Sequence, residues 1–312
     1  MTDAPLRLGL VGCGRLAELG YAPAAEAAQG VEIVAVTDPD RDRRGLLAGR
    51  LRASGHARLD QLLAAGPLDG IIICTPPEDH EQAATAAAQA GLTALVEKPP
   101  APDAAGALRL AALTPAPWLG FNRRFDQGLA LEPRMPPDGD LELNMVLHYR
   151  RKSWRPVARG DDAMLDLAPH LIDLALFLTA SLPLAVRASA SRERAGLVLA
   201  TTRAEVKIEC ATDRPHHELV EIRQAGGRRL ARAERGGRLS GVLGRLTPRA
   251  HPLVRSLTLQ LEAYGRALRG DDPGPLATAG EGAAAMRVLD AARRSDAVGG
   301  ETEPVEGVTV LS

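Results

Sequence analysis

Covalent staples are nearly absent from this sequence. Its 312 residues include three cysteines, Cys13, Cys74 and Cys210. They are odd in number and widely spaced, with neither disulfide nor metal-ligand spacing, and His216-His217 lacks ligand partners at useful distance. No disulfide framework and no metal are expected, and a reducing compartment is. Charge of one sign is missing too: 38 Lys and Arg against 39 Asp and Glu give a net charge of −1. That balance offers nothing general to nucleic acid or to an anionic membrane. Aromatics are scarce, at 3%, and the one basic run, 223–238, holds none to stack bases. No apolar run reaches the ~18 residues that a membrane span needs. MTDAP leads straight into LRLGLVG without a basic, then apolar, leader. A cytoplasmic protein is expected.

What is present is periodicity. Over the first 121 residues, apolar runs of strand length (6–11, 31–37, 70–74, 92–96 and 118–121) alternate with Ala-rich stretches of helical composition (15–29, 41–52, 79–90 and 103–113). Strands without polar alternation are buried on both faces, and strict alternation with helices means crossover units and a parallel sheet. After Asn122 the pattern changes. A Pro-rich stretch leads into a longer strand at 141–149, a helix at 169–179, strands at 185–191, 196–202, 204–211 and 218–223, and helices at 252–268 and 280–294. Short turns such as Ala225-Gly226-Gly227 point to an antiparallel sheet. The fold class expected is α/β: a doubly wound parallel sheet at 1–121, then an α+β domain at 122–312 with a mostly antiparallel sheet. The six arginines of 223–238 are interleaved with Glu221 and Glu234 and read as a solvated hairpin.

Gly12-Cys13-Gly14-Arg15-Leu16-Ala17 follows the first strand and opens a helix. This is the G-x-G-x-x-G/A pattern: a tight turn at Gly12, close approach of a pyrophosphate at Gly14, and a small residue for helix–strand packing at Ala17. The N–H groups at that helix start, around Cys13, Arg15 and Leu16, are placed for phosphate. Asp38 ends the second strand, where a carboxylate accepts both hydroxyls of an adenosine ribose and repels a 2′-phosphate. NAD is therefore the expected cofactor. Arg41 and Arg43 lie close enough in sequence to offset that repulsion, which keeps NADP open.

Three further segments join this one in order: Thr75-Pro76-Pro77-Glu78-Asp79-His80 after the third long strand, Glu97-Lys98-Pro99 after the next, and Asp166-Leu-Ala-Pro-His170-Leu-Ile-Asp173 at the first helix of the second domain. With Gly120-Phe-Asn-Arg-Arg-Phe125 at the crossing, the chain resembles the glucose–fructose oxidoreductase/inositol dehydrogenase family (Gfo/Idh/MocA) along nearly its whole length. The resemblance implies a Rossmann domain, a second domain on an open-faced sheet through which copies associate, and NAD(P)-linked oxidation or reduction of sugars, cyclitols and similar polyols. It implies that Gly12, Cys13 and Gly14 line the pyrophosphate and Asp38 the ribose. Thr75, Pro76, Pro77 and His80 then lie along the cofactor, and Glu97 and Lys98 by the nicotinamide and substrate. Asp166 and His170 face Lys98 from the second domain.

In such a site His170 is the expected general base, Lys98 polarises the reacting oxygen or takes the proton itself, and Asp166 orients substrate or imidazole. Arg124 and Trp154 are candidates for substrate contact. One departure concerns Pro169. Proline disfavours helix in the residue before it, so the helix is expected to begin at Pro169, leaving Asp166 in the lead-in loop; an earlier start would instead put Asp166, His170 and Asp173 on one face at i, i+4 and i+7. Two other classes stay open: a non-catalytic dinucleotide-sensing regulator, and a reductase of an imine or enone.

Overall fold

The computed structural model describes residues 4–126, 140–150, 162–236 and 251–307. Two compact units emerge, Met1–Asp126 with Gly244–Gly282, and Gln127–Leu243 with Ala283–Ser312.

In the first unit β1 (Leu6–Val11) leads through a π-helical turn at Ala17–Tyr21 into α1 (Ala22–Ala27). There follow β2 (Val31–Thr37), α2 (Arg41–Leu51), β3 (Ser54–His56), α3 (Leu59–Ala64), β4 (Gly70–Ile73), α4 (Pro77–Gln89), β5 (Thr93–Glu97), α5 (Ala104–Ala111) and β6 (Trp118–Gly120). The second unit contributes β7 (Leu141–His148), α6 (Ala163–Thr179), β8 (Pro183–Ala190), β9 (Arg194–Thr201), β10 (Ala204–Ala211), β11 (His217–Gln224) and β12 (Arg229–Gly236). Then come α7 (Pro252–Arg269), β13 (Ala277–Thr278), α8 (Ala279–Ala297) and β14 (Glu303–Pro304).

The first sheet has the order β13-β6-β5-β4-β1-β2-β3 among the described residues and is parallel except for β13. β4 is buried at all four positions, as an all-apolar strand between two others must be. From β1 the chain steps to β2 on one side and returns to β4 on the other. The carboxyl ends of β1 and β4 therefore flank the point where strand order reverses, which is where open α/β sheets bind ligands. The second sheet has the order β12-β11-β7-β10-β9-β8-β14 and is antiparallel except for the β7–β10 pair. α6 packs against its β7, β9 and β10.

Two findings differ from the sequence expectation. α7, placed at sequence level with the second domain, packs in the core of the first. Its Val254, Leu257, Leu261 and Tyr264 form one apolar stripe and bury against Leu8, Leu10 and Ile72. Tyr264 Oη accepts from Ile71 N at 3.0 Å and donates to Thr93 O at 2.6 Å, clipping β4 to β5. No local signal in residues 252–269 says which sheet the stripe will cover. Second, the short β3–α3 unit is absent from the sequence expectation, because a three-residue strand carries no readable period. The expected basic hairpin is β11–β12, and Glu221 lies beside Arg223 and Arg232. Among the described residues no helix is long and apolar enough to cross a membrane.

Candidate active site

The glycine turn is closed by its neighbours. Gly12 has φ +92°, and a Cβ there would lie 2.9 Å from the Cys74 carbonyl carbon and oxygen and 3.0 Å from Thr75 N. Only glycine satisfies both the left-handed conformation and the approach of β4. Gly14 has open space where its Cβ would be. Asp38 is nearly buried. Its Oδ2 accepts from Cys13 N at 2.7 Å and its Oδ1 from Asp40 N at 2.8 Å. Each oxygen keeps a lone pair for a ribose hydroxyl. Thr75 Oγ1 is buried without a hydrogen-bond partner among the described residues. An open Gly14, a carboxylate fixed by the loop and an orphaned hydroxyl at the end of β4 together fit a dinucleotide.

Two of the basic side chains nearby, Arg43 and Arg44, are tethered. Arg44 Nη1 donates to the Asp38 carbonyl at 2.6 Å, and Arg43 Nε is 3.4 Å from Asp40 Oδ2. The surroundings of Cys13 and Cys74 disfavour the thiolate. Burial, then the charge of Asp38, pushes the Cys13 thiol up to about 12. Burial, followed by Glu97, pushes Cys74 well above the usual range.

At the end of β5, Glu97 is buried at 5% exposure. Tyr21 Oη donates to its Oε1 at 2.5 Å and Lys98 N to its Oε2 at 3.0 Å, while Gln260 Nε2 donates to Tyr21 Oη at 3.0 Å. Gly120 on β6 leaves the room, since a Cβ there would come within 2.8 Å of Glu97 Oε1. Burial raises the Glu97 carboxyl against the hydrogen bond from Tyr21 and the charge of Lys98. Tyr21 and Gln260 are site-supporting residues that sequence reasoning missed. Nothing in the sequence links positions 21, 97 and 260. Pro76 and Pro77 open α4, with Pro77 in its first turn. His80 is wholly buried, with Nε2 2.8 Å from Thr75 O and Nδ1 3.1 and 3.2 Å from the carbonyls of Pro99 and Pro100. It is enclosed by backbone rather than laid open along a cofactor groove.

In the second unit α6 begins at Ala163, six residues before Pro169, which lies inside it. The expectation of a start at Pro169 is corrected by Asp162, whose side chain accepts from Leu165 N at 2.7 Å and caps the helix. Pro169 forgoes the bond its N–H would make to the Leu165 carbonyl, a cost of ~3 kcal/mol. Burial of Leu167, Leu171, Ile172 and Leu174 on the same helix offsets it. Asp166, His170 and Asp173 consequently share one face at i, i+4 and i+7. The Tyr149 hydroxyl, just beyond β7, donates to Asp166 Oδ2. That contact too was not legible in the sequence. Arg124, in the first unit, is 4% exposed and donates to Glu281 Oε1 at 3.0 Å. Trp154 lies outside the described residues. Among the described residues no cluster of His, Cys, Asp or Glu could hold a metal ion.

A parallel sheet with a glycine turn and a ribose carboxylate at its switch point defines an NAD-binding Rossmann domain. Residues 6–116 match the family described as "Oxidoreductase family, NAD-binding Rossmann fold" (GFO_IDH_MocA). The chain is 30% identical over 306 residues to the rhizopine catabolism protein MocA of Rhizobium meliloti, covering 92% of this chain and 93% of that protein. It is 36% identical over 189 residues to an inositol 2-dehydrogenase of Leifsonia xyli subsp. xyli, covering 58% of this chain and 56% of that enzyme. The chain thus matches little more than half the length of that relative. Among solved structures, apo scyllo-inositol dehydrogenase from Lactobacillus casei shares the fold with TM-score 0.82, 17% identity and coverage of 98% of this chain and 100% of that one. The WlbA dehydrogenase from Bordetella pertussis, crystallised with NADH and UDP-GlcNAcA, shares it with TM-score 0.79, 21% identity and coverage of 97% and 99%. The chain belongs to the Gfo/Idh/MocA oxidoreductase family.

Proposed function

We propose that this protein is an NAD-dependent oxidoreductase that acts on a secondary alcohol, or the corresponding ketone, of an inositol-like cyclitol, keto-sugar or related polyol. The observation that carries the reading is the shared face of Asp166 and His170 on α6, with the Tyr149 hydroxyl holding Asp166. A carboxylate and an imidazole one helical turn apart suit work on an alcohol proton. The inositol dehydrogenases and MocA among the relatives support the polyol class.

Bound nicotinamide supplies the hydride acceptor. Gly12, Cys13, Gly14 and the N–H groups of Arg15 and Leu16 hold its pyrophosphate, and Asp38 holds the ribose of the preferred NAD. Glu97 fixes the backbone at Lys98, whose ammonium donates to the reacting oxygen and favours its negative character. His170 accepts the alcohol proton in oxidation and returns it in reduction. Asp166 sets the direction of the imidazole or of the substrate hydroxyl. The protein works in the cytoplasm and assembles into a homo-oligomer through the second sheet. Absorbance at 340 nm across a panel of inositols and keto-sugars, with NAD or NADH, tests the reading. Cofactor binding without turnover on every member of the panel would instead make this a dinucleotide-sensing regulator.

A further inference from the structure

His80 is fully buried in the first unit, on the first turns of α4, and its ring meets three carbonyl oxygens. Nε2 is 2.8 Å from Thr75 O, and Nδ1 is 3.1 Å from Pro99 O and 3.2 Å from Pro100 O. Carbonyl oxygens only accept. Both ends of the ring are hydrogen-bonded only if both nitrogens carry hydrogen, as they do in the imidazolium. A neutral ring must turn a bare nitrogen lone pair toward a carbonyl at one end, on a side chain that is fully buried.

The two ends touch two functional segments. Thr75 follows β4, has its backbone nitrogen beside Gly12 and carries the orphaned hydroxyl. Pro99 and Pro100 immediately follow Lys98. We propose that His80 is a positioning residue for Lys98, a proton-dependent clasp that fastens the Lys98-Pro99-Pro100 turn to the end of β4 when its ring is charged. Loss of one ring proton releases one end. The role given to Lys98 rests on the reading above, whereas the state of the His80 ring does not.

The charges around the clasp are few. Burial, the largest influence, holds the ring below the usual histidine range, against the carbonyls of Thr75, Pro100 and Pro99 and, more weakly, the charge of Asp79 on α4 itself. β5 ends in Glu97, already engaged by Tyr21 and by the Lys98 N–H. α5 sends Arg109 to Glu81 at 2.6 Å. The clasp therefore opens as pH rises through a midpoint lower than that of an exposed histidine.

The test uses the full chain labelled with nitrogen-15 at histidine, with His80→Gln identifying the resonance, followed over about pH 5 to 8. On the acid side both His80 nitrogens should resonate as N–H, and one should lose its hydrogen as pH rises. Across the same midpoint NADH affinity should fall about tenfold, a step that His80→Gln lacks. A ring with one bare nitrogen at every pH would overturn the proposal without touching the enzymatic reading. So would an affinity step that persists in His80→Gln. If that variant fails to fold, the two nitrogen signals of the wild-type ring decide the matter, with the resonance assigned from contacts to Thr75.

Discussion

Tyr21 and Glu97 stand 76 positions apart in the chain and 2.5 Å apart in the fold. A tyrosine on the π-helical turn after the cofactor loop thereby holds the carboxylate next to Lys98, and Gln260 of α7 holds the tyrosine in turn. Tyr21→Phe keeps the ring and removes the donor, leaving a buried carboxylate oxygen and a buried amide N–H short of a partner. The expected loss is about 1–3 kcal/mol of unfolding free energy in urea. In the double variant with Glu97→Gln the two losses should fall short of additive, as for residues in direct contact. Strictly additive losses would separate the two residues.

The Glu97 carboxyl also predicts a pH dependence. Burial raises its pKa in the folded state above the ordinary 4.5, against Tyr21 and Lys98. The folded state then binds more protons than the unfolded one. Its contribution to stability is fully present below 4.5 and is lost as pH rises through the folded value. Glu97→Gln cannot titrate. Relative to wild type it should be least stable in acid and should recover toward neutral pH, read from urea melts at several pH values. A difference that is constant with pH contradicts the assignment.

How much of this was legible in the sequence depends on range. The glycine turn at Gly12, the carboxylate at Asp38 and the strand ends at Thr75 and Lys98 are local patterns, each a few residues long, and they appear in the fold where their spacing puts them. The start of α6 is not legible from Pro169 alone, because the Asp162 cap and the burial that compensates the proline decide it. Tyr21, Gln260 and Tyr149 were invisible, because their partners lie 76, 239 and 17 positions away and no period or motif connects them. α7 could be read as an amphipathic helix, but which sheet receives its apolar stripe is a tertiary fact.

The two glycines of the cofactor turn should separate by phenotype. Gly12→Ala places a methyl 2.9 Å from the Cys74 backbone at φ +92°, so it should lower the melting temperature and abolish NADH binding together. Gly14→Ala meets nothing within 4 Å. It should melt like wild type and still bind NADH at least about tenfold more weakly, because its methyl occupies the approach of the pyrophosphate. Intrinsic fluorescence and calorimetric titration distinguish the two, and equal behaviour would contradict the geometry.

Cofactor choice follows from Asp38 and from the tethering of Arg43 and Arg44. Wild type should bind NADH at least about tenfold more tightly than NADPH, since a carboxylate facing a 2′-phosphate is repulsive. Asp38→Ser should narrow the ratio, chiefly by weakening NADH. Equal affinity of the wild type for both cofactors would show that Asp38 does not set the choice.

In the proposed reaction Lys98 and His170 handle the proton transfer that accompanies hydride removal from a polyol. The direct measurement is NAD reduction at 340 nm with inositol isomers by wild type beside Lys98→Ala and His170→Ala, with NADH binding measured on all three. Turnover by wild type is expected, with a drop of about a hundredfold or more in kcat for each variant and NADH affinity within a few-fold of wild type for His170→Ala. Wild-type turnover retained by both variants would contradict these roles.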